Sequence, residues 1–106
     1  MQKVTEMIEP ETEDGYPTEE TLEAIESWND LSFEGQLGLI NFVRKAWYYP
    51  DRVEERKNNK YWFSTGGWSG NEDLIDALRS NHMFWMLCWH SSKRGGYFVF
   101  KLKKVQ

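Results

Sequence analysis

The sequence contains a single cysteine, Cys88, among its 106 residues. One thiol excludes a disulfide framework within the chain, and it excludes a zinc site built from several cysteines. Free thiols persist in reducing compartments, whereas small secreted domains are usually rich in disulfides. The cysteine content therefore predicts a protein of a reducing compartment without a cysteine-based metal centre.

Long hydrophobic runs are also lacking. The longest unbroken apolar stretch covers residues 83–89, whereas a membrane-spanning helix needs about 20 apolar residues. The first ten residues carry no apolar run of the kind that a secretory signal contains. We therefore expect a soluble protein in the cytoplasm, with no membrane contact.

Basic residues are nearly missing from the first 30 positions, where ten acids accompany one base, Lys3. This segment has a net charge of −9, the remainder carries +5, and the whole chain has −4. The segregation has three interpretations. In the first, the acidic segment is a tail and helix that keep the protein soluble. In the second, it folds back onto the basic remainder of the chain. In the third, it occupies a basic surface of a partner, including a surface that normally binds nucleic acid.

Aromatic residues, in contrast, are abundant, and six tryptophans contribute to an aromatic content of 16%. Disordered chains are poor in aromatics, so the composition predicts a compact domain with a filled core. The length suits one domain and not two. Residues 1–16 are acidic and aperiodic, so we expect an acidic arm there and a single domain over residues 17–106.

Two N-terminal helices are predicted from apolar periodicity. Residues 18–29 begin with Thr18 as a capping residue, and residues 32–48 show the longest apolar stripe, which indicates a central helix. The polar face of the first helix bears four carboxylates, Glu19, Glu20, Glu23 and Glu26. Residues 51–60 are charged and mixed in sign, which favours a loop or a short exposed helical turn.

The spacing of apolar residues changes in the second half of the chain. Residues 60–65 are aromatic and short, which favours a strand, and a third helix follows the glycine-rich loop. Residues 82–90 and 97–103 are interpreted as two strands joined by a turn over residues 91–96. The last strand alternates, with Phe98, Phe100 and Leu102 on one face and Tyr97, Val99, Lys101 and Lys103 on the other. The predicted fold class is α+β: two N-terminal helices, then strand, helix, strand and strand, with a small sheet covered on one face by helices.

Residues 64–72 form the most unusual segment, a glycine-rich loop between a strand and a helix. Free amides and the helix dipole at such a junction favour an anion. The glycine spacing of a dinucleotide-binding motif and the lysine of a P-loop are both missing, however, and Glu72 and Asp73 would repel a phosphate. The loop is a structural turn with a capping box from Ser69 to Glu72, a surface where Trp68 makes a contact, or a ligand site. The residues of such a ligand site would be Ser64, Thr65, Gly66, Gly67, Trp68, Ser69 and Asn71.

Cys88 and His90 lie two residues apart on a predicted strand, so they would share one face. A thiol and an imidazole could act as nucleophile and base, but no acid or amide lies at a spacing that would orient them. A buried thiol beside an edge histidine is the simpler interpretation. We therefore predict no catalytic residue, no metal site and no cofactor.

Aromatic and basic residues also mix along the predicted strands, a pattern that can stack single-stranded bases. The residues concerned are Trp62, Trp85, Trp89, Tyr97 and Phe98, with Lys93, Arg94, Lys101, Lys103 and Lys104. Core filling accounts for most of the rings, because one face of the sheet must be buried. The isoelectric point of about 5.2 argues against direct nucleic-acid binding, since such proteins normally carry a basic footprint.

A resemblance to small proteins encoded by bacteriophages and prophages is carried by the segment WFSTGGWSGNE, followed by Phe84-Trp85, Cys88-Trp89 and Arg94-Gly95-Gly96. It covers residues 60–102, and it transfers no catalytic residue because that group has no assigned activity. The resemblance implies an accessory protein made in a bacterial host. Such proteins often bind and block host factors, including antiviral defence machinery.

These features together predict a non-enzymatic, phage-type accessory protein that binds and inhibits or modulates a host protein, with an anti-defence inhibitor as one form of this role. The partner would present a basic surface. The predicted contacts are the acidic arm, the exposed aromatic Trp68, and Glu19, Glu20, Glu23 and Glu26. The alternative is a small-ligand or nucleotide-binding protein that uses residues 64–72 to sequester or sense its ligand, and an enzyme is the third option.

Overall fold

Two antiparallel sheets and four α-helices make up residues 9–104, the part of the chain that the computed structural model describes. Strands β1 (Thr12–Glu13) and β2 (Tyr16–Pro17) form a hairpin whose turn has Asp14 and Gly15 at positive φ. This hairpin falls within the predicted acidic arm, so the later part of the arm has regular structure. Residues 1–8 of the arm lie outside the described residues.

Helix α1 (Glu19–Glu26) begins at the predicted cap, where the Thr18 hydroxyl accepts a hydrogen bond from the Thr21 amide at 3.3 Å. Thr21 is fully buried and also fixes the hairpin. Its hydroxyl donates to the Glu11 carbonyl at 2.8 Å and accepts from the Glu11 amide at 2.7 Å. One side chain therefore joins the acidic arm to the first helix.

Helix α2 (Phe33–Ala46) is the central helix, as its long apolar stripe predicts. The Ser32 hydroxyl caps it by accepting from the Gly35 amide at 3.1 Å. A Cβ at Gly35 would overlap the Asp30 carbonyl, so the preceding loop can lie against the helix only because this residue is glycine. The fully buried residues at the middle of the helix are Leu39, Ile40 and Val43.

The four-stranded sheet contains β3 (Val53–Arg56), β4 (Lys60–Ser64), β5 (Trp89–Lys93) and β6 (Tyr97–Lys101) in the order β3-β4-β6-β5, with every neighbouring pair antiparallel. Strand β3 was not predicted, since residues 51–60 were expected to form a loop or a helical turn. A short 3-10 turn is present at Pro50–Arg52, but the residues after it pair with β4. Three of the four β3 side chains are charged and exposed, so the strand has no apolar alternation of its own.

The predicted strand over residues 82–90 is wrong, because helices α3 (Ser69–Ser80) and α4 (His82–Cys88) follow β4 and only the last part of that segment is extended. Asn81 starts α4, since its side-chain oxygen accepts from the Phe84 amide at 3.2 Å. Phe84 and Cys88, four residues apart, are both buried on the inner side of this helix. A seven-residue apolar run does not distinguish a strand from a buried helix by periodicity, which explains the error.

The helices pack on one face of the four-stranded sheet, which agrees with the predicted α+β class and corrects the predicted element order. Tyr61, Phe63 and Phe100 point from this face into the core. The Trp47 ring at the end of α2 contacts Phe63 at 5.0 Å, and the Phe84 ring of α4 contacts Phe100 at 5.8 Å between centroids. Aromatic rings of the sheet and the helices therefore meet in the layer between them, alongside aliphatic residues such as Leu39 and Leu78.

A buried amide ties α2 to the chain beyond β6. Gln36 is fully buried; its side-chain nitrogen donates to the carbonyls of Leu31 at 2.9 Å and Lys103 at 2.8 Å. Its oxygen accepts from the Lys103 amide at 2.7 Å and from the Cys88 thiol at 3.4 Å. Every polar atom of this side chain is thus satisfied, as a buried amide requires.

Candidate functional site

The predicted partner-binding glutamates lie together on α1. Glu19, Glu20, Glu23 and Glu26 are all exposed, whereas Thr21, Ala24 and Ile25 form the buried face of the helix. None of the four forms an ion pair with another residue of the range 9–104. Helix α1 packs against α3, whose exposed Glu72 and Asp73 add further negative charge, whereas Asp76 pairs with Arg79 at 3.1 Å.

Trp68 is held inside a ring cluster and is only partly exposed. Its ring stacks on Tyr48 at 4.5 Å and contacts Tyr16 at 4.9 Å between centroids. Its indole nitrogen donates to the Gly15 carbonyl at 2.8 Å. Trp68 therefore fastens the N-terminal hairpin to the start of α3, and its predicted role as a partner contact stays a prediction.

The exposed aromatic surface at this point consists of tyrosines. Tyr16, Tyr48 and Tyr49 are 41%, 38% and 46% exposed. The rings of Tyr48 and Tyr49 lie 4.4 Å apart, so a continuous cluster runs from Tyr16 through Trp68 to Tyr49. Glu13 and Asp14 precede Tyr16 in the chain, and α1 begins three residues after it, so exposed carboxylates flank Tyr16 along the chain.

The residues of the predicted ligand loop mostly hold the fold together. Asn71 is fully buried; its amide donates to the carbonyls of Tyr48 and Thr65, and its oxygen accepts from the Tyr48 amide at 2.8 Å. The Ser64 carbonyl accepts from the Trp47 indole at 3.0 Å. The Thr65 hydroxyl, buried like the Ser64 side chain, accepts from the Gly67 amide at 3.3 Å.

The rest of this loop is exposed. Gly66 and Gly67 have positive φ, and Ser69 is the first residue of α3. The predicted capping box is wrong, because Trp68 occupies the N-cap position and makes no side-chain capping bond. The loop geometry therefore fits a structural turn, while the assignment of residues 64–72 to a ligand stays a prediction.

Cys88 and His90 do not share the strand that was predicted for them. Cys88 ends α4 and is fully buried, and desolvation raises the pKa of its thiol to about 12. His90 lies on β5 and is exposed. A thiol with this pKa stays protonated at neutral pH, so the pair has no activated nucleophile. Across residues 9–104, no group of three histidine, cysteine or acidic residues is arranged to hold a metal ion.

The sheet face opposite the helices brings together some of the aromatic and basic residues noted in the sequence, and the strand register adds Arg56 and Lys60 to them. Residues directly opposite each other in an antiparallel pair share a face, so the register aligns Arg56, Lys60 and Lys101 in one row across β3, β4 and β6. The same register places Trp62 opposite Val99 and Ser64 opposite Tyr97. We call this surface the outer face, and its large side chains are Glu54, Arg56, Lys60, Trp62, Lys93, Tyr97 and Lys101.

Cations surround the central ring of the outer face. The Arg56 guanidinium lies 4.1 Å and the Lys93 ammonium 5.6 Å from the Trp62 ring centroid, distances at which the ring attracts a cation. Arg56 also donates to the Glu54 carboxylate at 2.6 Å and 3.0 Å. An open cleft of about 410 Å³ extends from Trp62 to Tyr97, and a second of about 770 Å³ lies beside Lys60.

His90, on β5, lies close to several of the lysines of the outer face. Desolvation, followed by the charges of four nearby lysines, lowers the pKa of this imidazole below its usual range. The four lysines are Lys60, Lys101, Lys103 and Lys93. His90 is therefore neutral at physiological pH and lies close to these four lysines.

The chain matches no protein-family model, no curated protein and no solved structure. None of the helices in the described part of the chain is long and apolar enough to cross a membrane. The described residues offer two candidate binding surfaces: the tyrosine cluster with its carboxylates, and the outer face.

Proposed function

We propose that this protein is a non-enzymatic binding protein that attaches to a basic surface of a host protein and inhibits or modulates it. The observation that carries the proposal is the cluster of exposed tyrosines together with the exposed glutamates of α1, which follows Tyr16 in the chain and whose glutamates have no ion-pair partner among residues 9–104. We call it the tyrosine–carboxylate surface. Its members are Tyr16, Tyr48, Tyr49, Glu19, Glu20, Glu23 and Glu26.

The tyrosine rings supply the anchoring part of this surface. Tyrosine and tryptophan dominate the energetics of protein interfaces because each buries a large rigid ring. Here the rings are already held by neighbours, with Tyr48 stacked on Trp68 at 4.5 Å and Tyr49 against Tyr48 at 4.4 Å. Pre-ordered rings lose less conformational entropy on binding. In this arrangement Trp68 contacts Tyr16 and Tyr48 and holds their rings in place.

The carboxylates of α1 supply the electrostatic part. Exposed charges of one sign steer a partner of opposite charge and act mainly on the association rate. They also make association sensitive to salt, because exposed charges are screened over about 10 Å at 0.1 M ionic strength. The proposed partner is therefore a protein with a basic patch.

The biological setting of the proposal comes from the resemblance of residues 60–102 to proteins of bacteriophages and prophages. A protein of that kind acts in the cytoplasm of a bacterial host, and a host defence protein is one class of partner with a basic, nucleic-acid-binding surface. An acidic surface that occupies such a patch would block it by competition.

A small-ligand function is the second candidate, and a cavity beside the loop favours it. The cavity has a volume of about 270 Å³, slightly below the usual size of ligand sites. Its lining residues are Thr65, Glu72, Ile75, Asp76, Arg79, Gly96 and Phe98. Asp76 pairs with Arg79 at 3.1 Å within this lining, and the remaining carboxylate, Glu72, favours a cationic or amphoteric molecule over a phosphate.

The test is affinity capture from a bacterial lysate followed by binding kinetics with the retained protein. Glu19→Lys with Glu23→Lys reverses two charges of the surface, and Glu34→Lys with Glu55→Lys is the control of equal charge change. Glu34, like Glu19, lies in the first turn of its helix. Tyr49→Ala removes an anchor, and Tyr97→Ala is its control on the outer face at 42% exposure.

We expect the charge variant to slow association and its control to match the parent. Tyr49→Ala should speed dissociation by about 30-fold if the ring contributes about 2 kcal/mol. Equal kinetics for all variants across the salt range would contradict the proposal. Retention of no protein, together with a rise in melting temperature on adding a small cationic molecule, would favour the second candidate instead.

A further inference from the structure

We propose that the outer face binds single-stranded nucleic acid, a function separate from the protein contact proposed above. The proposal rests on a row of three bases, Arg56, Lys60 and Lys101, beside two partly exposed rings, Trp62 and Tyr97, on one face of a four-stranded antiparallel sheet. Phosphates would lie along the bases, and unstacked nucleobases would lie on the rings.

The row of bases is costly to the free protein. Like charges directly opposite each other destabilise a sheet, and the register sets Lys60 opposite both Arg56 and Lys101. Glu54 neutralises Arg56, but neither lysine forms an ion pair with another residue of the described range. An anion held between them would relieve this repulsion, and a chain of phosphates offers one charge per nucleotide.

The rings supply the second half of the site. Trp62 lies opposite Val99 and Ser64 opposite Tyr97, so the two rings are diagonal neighbours on adjacent strands. Four-stranded sheets with exposed aromatics are a recurrent platform for single-stranded nucleic acid, because every base has a face that can stack. The cleft of about 410 Å³ between these rings gives a base access to them. A duplex keeps its bases stacked inside and could not use the rings.

The acidic isoelectric point does not bear on this face. It averages the whole chain, whereas the structure places the carboxylates of residues 11–26 on the hairpin and α1. Among the described residues that the register places on the outer face, Glu54 is the one acid, against four bases: Arg56, Lys60, Lys93 and Lys101. Asp51 and Arg52, one acid and one base, also line the cleft between Trp62 and Tyr97. The local footprint is basic, and a basic footprint is the electrostatic requirement for nucleic-acid binding.

The experiment measures fluorescence anisotropy of labelled oligothymidylate and oligouridylate of about 12 nucleotides with the full chain, at salt concentrations from about 50 to 200 mM. The charge variant combines Lys60→Ala and Lys101→Ala. Its control combines Lys45→Ala and Arg79→Ala, two bases located on α2 and α3. The stacking variant is Tyr97→Ala, and Tyr16→Ala, a tyrosine of similar exposure, is its control.

We expect the charge variant to bind at least 10-fold more weakly and to flatten the salt dependence of log K by about 1.4, which corresponds to two lost phosphate contacts. Tyr97→Ala should weaken binding about 5- to 150-fold, the range for one stacked base, without changing the salt slope. The melting temperature of the free charge variant should equal or exceed that of the parent, because like-charge repulsion is removed. Both controls should bind like the parent.

Four results would overturn the proposal. They are no binding of either oligonucleotide at the lowest salt, equal weakening by the charge variant and its control, parent-like binding by Tyr97→Ala, and tighter binding of a duplex than of the single strand. Vesicles of anionic lipid are measured in parallel. Binding to vesicles that depends on Lys60 and Lys101, without binding to oligonucleotides, would assign the face to membranes and overturn the proposal as well.

Discussion

Asn71→Ala should lower the free energy of unfolding by about 3–5 kcal/mol, a large fraction of the total stability of a small domain. The fully buried amide makes three hydrogen bonds, to the Tyr48 carbonyl at 2.9 Å, to the Thr65 carbonyl at 3.2 Å and from the Tyr48 amide at 2.8 Å. Alanine leaves the Tyr48 carbonyl and amide without a partner, at about 1–3 kcal/mol each when buried. The Thr65 carbonyl keeps its bond from the Trp68 amide at 3.0 Å, so its loss is about 1 kcal/mol. Tyr48 is partly exposed, so water can reach its groups, and the estimate stays in the lower half of that range.

The assay is urea unfolding followed by tryptophan fluorescence and circular dichroism, with a thermal melt as a second measurement. The matched control is Asn41→Ala, an exposed asparagine on α2, which should stay within about 0.5 kcal/mol of the parent. At about 5 °C per kcal/mol, the melting temperature of Asn71→Ala should fall by about 15–25 °C. A loss below about 1 kcal/mol with an unchanged m-value would refute the structural role and would free residues 64–72 for a ligand.

Three further variants test other parts of the structure. Ile40→Asp places a carboxylate at a fully buried position and should abolish the cooperative thermal transition seen by circular dichroism. The control Asn41→Asp should keep the transition. A normal melt for Ile40→Asp would contradict the assignment of Ile40 to the buried face of α2. Cys88 should resist alkylation at pH 8 until the chain unfolds. The pKa of its thiol in the folded protein is raised to about 12, so the thiol should contribute its full stabilisation below about pH 9 and progressively less toward pH 12. The stability difference between parent and Cys88→Ala should therefore shrink over that interval, and a constant difference would argue against a buried protonated thiol. Trp68→Ala should cost about 2 kcal/mol and speed hydrogen exchange of the Thr18 amide, which bonds to the hairpin; unchanged exchange would show that the indole does not hold the hairpin.

The two N-terminal helices could be predicted because their information is local. Thr18 and Ser32 each cap a helix through a residue three positions later, and the buried positions recur at helical spacing. The strand β6 was predicted for a similar reason, since its alternation assigns Phe98 and Phe100 to the core and Tyr97 and Lys101 to the other face.

The remaining elements depend on pairing that no local pattern encodes. Strand β3 has the sequence VEER, which becomes a strand only because β4 pairs with it. The outer face could not be predicted for the same reason. Its row of bases combines residues 56, 60 and 101, which become neighbours only through the pairing register of three strands. The three tyrosines of the tyrosine–carboxylate surface could not be predicted, because only the packing around Trp68 shows that they carry the exposed aromatic area.

The buried amide of Gln36 has a consequence for how the chain folds during synthesis. Its partners at Lys103 lie 67 positions later in the sequence, so at about 5–20 residues per second the ribosome needs about 3–13 s to deliver them after Gln36 is made. During that interval helix α2 exists without the groups that satisfy its buried amide and without the strand rings that cover its apolar side. The nascent chain therefore remains a client for chaperones until its last strand has emerged, and truncation just before Lys103 should leave a partly folded product that is prone to aggregate.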